Sequence, residues 1–581
     1  SDNALVGKKA DETWAQLVVE TVTNRDKNAP CVIRYSMGTE ITEGAGYDSN
    51  YATNAANIIR WAQAVDDTRP LTYGHNGSCV NELKTAVADQ IHAAGGVIGI
   101  NYYGSFNPET AHSTYQWKIV SSETASALNS RGIYTNKRNT SNSWAAAENA
   151  NHPDGAGALD RLTSYDKNSV GWGATASNAW WRVIRSDYDA GEYVWTGFDY
   201  IGEPTPWNNT GSGQTGTAWP KSSFFGIIDT NGIPKDGYYL YRSMWNDNSH
   251  TLHILPTWDE SDLMIDSNGK VEVVVYSDAP MVKLYLNNTE VGSATSTTHT
   301  TGAGHVYRTF DAGTGAFVTS SGHQSLYATF NVTYSEGTLR AVACDENGTP
   351  LNWVTQGRSQ VKTTTGASKL VATADRTSIK NDGKDLSYIT IDITDASGEI
   401  VNGAESEITV SVTGDGVFMG LDNGVQADHT SFLSQTWKAG AGRLVAIVRS
   451  TKEAGSFTLT ATADGLAPAA VTVQTNGATQ SSNDAPVSYE LSKTIYVQLN
   501  TEPTLESITT VTLGNGSTVS GTIAWDSYDK SLLAQTGEFV VTGVITIPGY
   551  TIPVSVGVVV LDDVAALLNY SAAVQVGQIP V

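Results

Sequence analysis

Cysteine is nearly absent from this chain. There are three in 581 residues, Cys31, Cys79 and Cys344, and no two are close in sequence. That excludes a disulfide framework and a CxxC zinc or redox motif. Basic residues are also scarce, 35 Lys and Arg against 59 Asp and Glu, for a formal net charge of −24. Neither half of the chain is basic, so the phosphate neutralisation that nucleic-acid binding requires has no electrostatic footprint. An anionic membrane surface is equally unsuited. The longest apolar run, near Val554–Leu561, falls far short of the roughly 20 residues a membrane helix needs. The sequence carries no G-x-S-x-G elbow, P-loop, HExxH motif or EF-hand loop, and its first residues do not read as a signal peptide.

What is present is enough for several packed cores. Hydrophobic residues make up 40% and aromatics 9%, with 15 Trp and 26 Tyr, and the length predicts three to five domains. The texture changes near residue 262. Before it, helical patterns (Ala10–Arg25, Tyr51–Ala64, Asn81–Ala93, Ala174–Ala190) alternate with short strands (Cys31–Ser36, Pro70–Tyr73, Gly96–Tyr102, Trp117–Ser122, Glu192–Gly197). Strands and helices alternating at this length indicate βαβ units and a parallel sheet. After it, period-two or β-branched runs separated by turn signals predict β-sandwiches. The expected divisions are 263–365, 366–475 and 486–561. The polar stretch Asn476–Asp484 serves as a linker, and 562–581 is a tail or the start of a further module. Twelve of the 15 Trp fall within residues 1–262. Trp195, Trp207 and Trp219 lie in or after a strand end, where an exposed indole suits the apolar face of a sugar ring.

Two carboxylates stand out by position. Glu40 follows CVIRYS through Met37-Gly38-Thr39, and Glu123 follows KIVSS. Each begins a βα loop at the carboxyl end of a parallel strand, where such folds place their sites. Retaining glycoside hydrolysis needs two carboxyl groups about 5–5.5 Å apart, one held as acid/base and one ionised as nucleophile.

The run Arg25–Ile41 (RDKNAPCVIRYSMGTEI) resembles the acid/base segment of glycoside hydrolase family two, and Lys118–Tyr134 (KIVSSETASALNSRGIY) resembles the nucleophile segment of its β-galactosidases. Glu192–Trp207 and Phe224–Trp245 resemble the strand-eight segment and the stretch that closes the barrel. Asp66–Gly74 and Gly96–Gly104 fit strands five and six. The resemblance covers most of residues 12–246. It implies a multidomain α/β plus all-β chain: a partial (β/α)8 TIM barrel, strands four to eight, followed by three immunoglobulin-like β-sandwiches. The family's first three strands and preceding domains are missing from the pattern.

Carried over by position, the resemblance implies Glu40 as general acid/base and Glu123 as nucleophile. Tyr102 is implied as the hydrogen-bond donor to the nucleophile, with Tyr103 as the reserve and Asn101 beside them at the sugar. Trp195 would form the platform under galactose. Asp199, Glu203 and Trp207 would either touch substrate hydroxyls or support that loop. His75 and Asn76 would reach the pocket rim. Where the family has Asn before the acid/base, this chain has Thr39, which puts the usual contact to the sugar 2-hydroxyl in doubt. The implied activity is a retaining β-galactosidase acting on terminal β-galactosides of oligosaccharides, with transgalactosylation open. It requires no cofactor, although magnesium or another divalent ion near the acid/base is open. An N-terminal segment is expected to complete the barrel, no nucleic acid or membrane partner is expected, and the expected location is extracellular or at a bacterial cell surface. Two other readings remain, a β-glucuronidase and a non-catalytic carbohydrate-associated surface protein.

Overall fold

The computed structural model of the chain describes residues 12–40, 51–76, 87–103, 106–134, 161–201, 220–311, 322–476, 486–492, 494–514, 516–547 and 550–562. Five strands form one sheet in chain order: β1 (Tyr35–Thr39), β2 (Leu71–Asn76), β3 (Val97–Asn101), β4 (Ile119–Ala125) and β5 (Asp189–Trp195). Every neighbouring pair is parallel. Leu71–His75 and Ile98–Asn101 are buried throughout, as strands covered on both faces of a parallel sheet must be. The helices α1 (Glu12–Asp26), α2 (Tyr51–Val65), α3 (Asp89–Ala93) and α4 (Pro108–Tyr115) punctuate the first four strands. In α2 the stripe Ala55, Ile58, Ile59, Ala62 recurs at helical spacing and packs in one core with Tyr73, Ile98 and Ile100. The helices α5 (Ala176–Ile184) and α6 (Asp236–Trp245) cover Ala125 and Val194.

The sheet is curved. Arg34, entering β1, places its guanidinium 4.7 Å from the ring centre of Tyr193 in β5, so the two edge strands bend toward each other across one interior. Together with the sandwiches that follow, this is a partial TIM barrel followed by β domains, the architecture the resemblance implies.

Three local readings differ from the structure. The first strand is Tyr35–Thr39 rather than Cys31–Ser36, because it continues through a register shift at Met37-Gly38. The helix read as Ala174–Ala190 stops at Ile184, since Asp189 already pairs with β4. The short helix α4 went unread, although its signal was present: Asn107 accepts a hydrogen bond from Thr110 N at 2.8 Å and Pro108 opens the first turn.

The first sandwich starts before the expected boundary at residue 262. His250–Leu255 pairs with Lys270–Ser277 in a four-stranded sheet, opposite a five-stranded sheet from within residues 281–362. Trp258, Val273, Leu284 and Phe330 lie in the core between them. The second sandwich occupies 369–475 around Ile389, Ile391, Trp437, Phe457 and Leu459. The third module, 486–561, is a single hydrogen-bonded path of six strands, and its long hairpin Gly537–Ile547/Tyr550–Leu561 contributes to two core clusters. Beyond Asp562, the predicted tail lies outside the described residues.

A buried acid under the helical layer generates a testable pH dependence. Neither carboxyl oxygen of Glu192 in β5 has a hydrogen-bond partner among the described residues. The nearby Thr124 hydroxyl lies 3.4 Å from the Tyr193 carbonyl. Burial pushes Glu192 up to about 8 from 4.5, opposed by the Thr124 hydroxyl and helped to a smaller degree by Asp189's charge. Between those values the folded chain holds a proton that the unfolded chain has released, so this group's contribution to stability falls as pH rises. Glu192→Gln therefore removes a slope of up to about 1.4 kcal/mol per pH unit. Urea unfolding of both proteins between pH 5 and 8 checks this, and parallel stability curves would rule it out.

Candidate active site

Distortions at the strand ends bring the polar side chains together. Between β1 and β2 the register slips between Ser36 and Thr39, with Gly38 at φ 153°, a backbone region that favours glycine. Between β3 and β4 it slips again, so that Ile100 faces Ser121 but Asn101 faces Glu123. Such bulges re-aim side chains; here both Ser122 and Glu123 reach the same polar cluster. Just beyond, Glu40 (φ 46°), Tyr102 (φ 49°), Ala125 (φ 63°) and Ser126 (φ 53°) adopt left-handed backbone. Non-glycine residues hold that conformation only where their surroundings over-determine it. Two main-chain bonds do so here: Glu40 N donates to Gly74 O, and Tyr102 N to Glu123 O, each at 2.9 Å.

Asn101, fully buried, is the hub. Its Oδ1 accepts from Ser122 Oγ at 2.7 Å, which turns its Nδ2 toward the other residues. That nitrogen lies 2.8 Å from Thr39 Oγ1, 2.9 Å from Glu40 Oε1 and 3.4 Å from Glu123 Oε2. The last two distances taken together cap the separation of those carboxylate oxygens at 6.3 Å. That is below the roughly 6.5–9.5 Å of inverting pairs and compatible with the shorter retaining separation. Tyr102 Oη donates to Glu123 Oε1 at 2.6 Å and lies 2.7 Å from Ser126 Oγ. Burial, then the Glu123 charge, raises the Tyr102 phenol far above its ordinary value, so it stays a donor.

The half-buried Trp195 ends β5 beside Ala125 of β4. Its Nε1 donates to Tyr200 Oη at 3.2 Å, and the two rings meet edge to face at 5.8 Å. The structure thus gathers Thr39, Glu40, Asn101, Tyr102 and Glu123 in one cluster, with Trp195 at the adjacent strand end.

Three expected substrate residues do other work. Tyr103, 7% exposed, donates to Asp189, which also accepts from Ser121 Oγ at 2.6 Å. It therefore anchors the start of β5 and is not a reserve for Tyr102. His75 does not reach a pocket rim. It is fully buried edge to face against Tyr73, with Nδ1 3.1 Å from Tyr73 O, and burial lowers it to about 4. Asp199 is buried as well, paired with Lys235 Nζ at 2.6 Å and accepting from Gly226 N at 2.7 Å. Burial pushes it up to about 6 in spite of Lys235. Its carboxylate is committed inside the fold, which favours the loop-supporting alternative. Glu203 and Trp207 lie outside the described residues.

The sequence reading missed Ser122, next to the recognised Glu123, Ser126, three residues beyond it, and Gly74. Among the described residues no group of three or more His, Cys, Asp or Glu is placed to hold a metal.

A Cβ at Gly74 would sit 2.7 Å from Thr39 Oγ1 and 2.9 Å from Asn101 Oδ1. Gly74→Ala is therefore expected to push the hub away from the carboxylates and to destabilise the barrel by about 1–3 kcal/mol, the usual range for overpacking. An unchanged unfolding midpoint would show that the cluster yields without cost.

Comparisons with known proteins agree with this geometry. Residues 4–144 match the glycosyl hydrolases family 2 TIM barrel domain, 370–472 match glycoside hydrolase family 2 C-terminal domain 5, and 268–352 match a domain of unknown function. A β-galactosidase of Bacteroides ovatus, BoGH2A, is 27% identical over 472 residues, 81% of this chain and 48% of that protein. A putative β-glucuronidase of Formosa agariphila is 24% identical over 459 residues, 74% of this chain and 37% of that protein. The chain thus spans less than half the length of either curated relative. Among solved structures, a β-glycosidase from Bacteroides vulgatus superposes with a TM-score of 0.60 at 23% identity, covering 81% of this chain and 55% of that one; at that identity the likeness bears on fold alone. Two segments of the chain are thus similar to glycoside hydrolase family 2, one to its TIM barrel domain and one to its C-terminal domain 5.

Proposed function

We propose that the chain carries the active-site half of a retaining β-galactosidase. The observation that carries this reading is the Asn101 amide within hydrogen-bond reach of both Glu40 and Glu123. Glu123 accepts from Tyr102 as well as from Asn101, and donors aimed at a carboxylate favour its anion, the form a nucleophile needs. Glu40 takes the acid/base role. It protonates the glycosidic oxygen as Glu123 attacks the anomeric carbon, breaking the bond to the leaving group and forming a covalent galactosyl-enzyme. Glu40 then removes a proton from water, or from an acceptor sugar, as that oxygen bonds to the anomeric carbon and displaces the Glu123 carboxylate, with net retention. No cofactor takes part in either step. Trp195 supplies the apolar platform for the sugar.

Competence requires further barrel strands. Among the described residues β1 and β5 each pair on one side only. Large apolar side chains at these edges are bare: Ile33, just before β1, is 67% exposed and Phe198, just after β5, is 58% exposed. A segment supplying the missing strands, expected on the N-terminal side, would cover them. The galactoside preference rests on the nucleophile-segment resemblance and on the Bacteroides ovatus relative. The Formosa agariphila relative favours a glucuronide as second reading. An extracellular or cell-surface location stands as part of this proposal.

Three kinetic outcomes follow for the completed barrel. Glu123→Gln is expected to lower kcat by three orders of magnitude or more on every substrate. Glu40→Gln is expected to slow alkyl galactosides far more than dinitrophenyl galactoside, whose leaving group needs no proton. Equal losses on both substrates would remove Glu40 from the acid role, and turnover of p-nitrophenyl glucuronide but not galactoside would replace the substrate assignment. Thr39 lacks the amide donor that, in the resemblance, meets the 2-hydroxyl; Thr39→Asn is therefore expected to raise kcat/KM by about tenfold, within the several kcal/mol such contacts supply. An unchanged kcat/KM would dispose of that role.

A further inference from the structure

The second sandwich reaches into the barrel at a single fully enclosed side chain. Gln426 is 1% exposed and stands 227 to 297 residues from the residues it touches beyond β4 and β5. Its Nε2 donates to Asn129 O at 3.2 Å and to Asp199 Oδ2 at 3.1 Å, and its Oε1 accepts from Ser130 Oγ at 3.0 Å. Lys235 Nζ contacts the same two acceptors, Asn129 O at 2.9 Å and Asp199 Oδ2 at 2.6 Å. The result is a closed ring of amide, carboxylate, ammonium and carbonyl, with every polar atom of the Gln426 amide used.

The two acceptors belong to different loops. Asn129 and Ser130 follow β4, the strand that carries Glu123; Asp199 follows β5, the strand that ends in Trp195. Next to Asp199, Tyr200 accepts from the Trp195 indole. The Gln426 ring therefore ties the nucleophile's loop to the platform's loop. Flanking contacts seat the sandwich: Asp422 pairs with Lys221 and accepts from Thr230, Arg131 donates to Asn423 O at 2.9 Å, and Lys221 N donates to Gln426 O at 2.7 Å.

We infer that the second sandwich is a working part of the sugar site and that Gln426 is the positioning residue that sets Trp195 relative to Glu123. The inference rests on the galactosidase reading for what Trp195 does, but not for the coupling itself. Glutamine suits the place because two donors and one acceptor are required. A methionine of similar size makes none of the bonds, and a glutamate would set a second anion against Asp199.

Hydrogen exchange on the 581-residue chain tests the coupling without turnover. Gln426→Met and Gln426→Glu, with Ser130→Ala as a milder change, are expected to speed exchange at least tenfold in 196–199 and 226–228. Protection in the sandwich's own strands, such as Leu386–Thr394, is expected to stay as it was. Unchanged protection in the platform loop would overturn the inference. So would a uniform loss across both domains, since Gln426 would then hold the domains together without positioning the loop. In the completed barrel, Gln426→Met is expected to raise KM for a β-galactoside at least fivefold with kcat within threefold, because the carboxylate pair is held by Asn101 on other strands. Absence of turnover in the unmutated protein would count against the galactosidase reading and leave the exchange result to decide the coupling.

Discussion

Two carboxyl groups must be held face to face at the mouth of this barrel, and one amide group makes that possible. At 6 Å and an effective dielectric of 20, two carboxylates repel by about 3 kcal/mol. Asn101 Nδ2 lies between Glu40 and Glu123, and Ser122 fixes which way the amide points. Tyr102 adds a second donor to Glu123. The rest of the local structure serves this arrangement. Two register slips aim the side chains, four left-handed residues turn the chain at the strand ends, and Gly74 leaves room for the Thr39 hydroxyl and the Asn101 carbonyl.

The β domains are more than spacers. The first sandwich begins within the segment first read as barrel and shares a buried network with it, in which Asp236 accepts from Tyr134 at 2.9 Å and lies 2.6 Å from His253 Nε2. The second reaches deeper, through Gln426 and Asp422. A module appended to the chain thereby helps shape the loops in which barrel enzymes place their specificity.

The legible part of the fold was the part written in periodicity. The α2 stripe, the continuously buried runs of β2 and β3, and the alternating strands after residue 250 each follow from one local pattern. The candidate pair was legible because Glu40 and Glu123 both follow strand-like runs, and the resemblance supplied their roles. The convergence itself could not be read, since it depends on bulges that involve only a residue or two. A strand alternates faces at every residue, so a slip of one exchanges a pocket contact for a core contact. His75 sits within β2, not beyond its end, and so packs into the core against Tyr73. Gln426 was invisible for a different reason: nothing local marks a glutamine whose partners lie more than 200 positions away.

Covalent trapping bears most directly on the account. The chain, combined with the segment that completes its barrel, would be treated with a 2-deoxy-2-fluoro-β-galactoside bearing a good leaving group, and its peptides analysed by mass spectrometry. The account predicts one added fluorogalactosyl group, on the peptide containing Glu123 and absent after Glu123→Gln. A label on any other carboxylate, or turnover of an unfluorinated galactoside with no label formed, would contradict it.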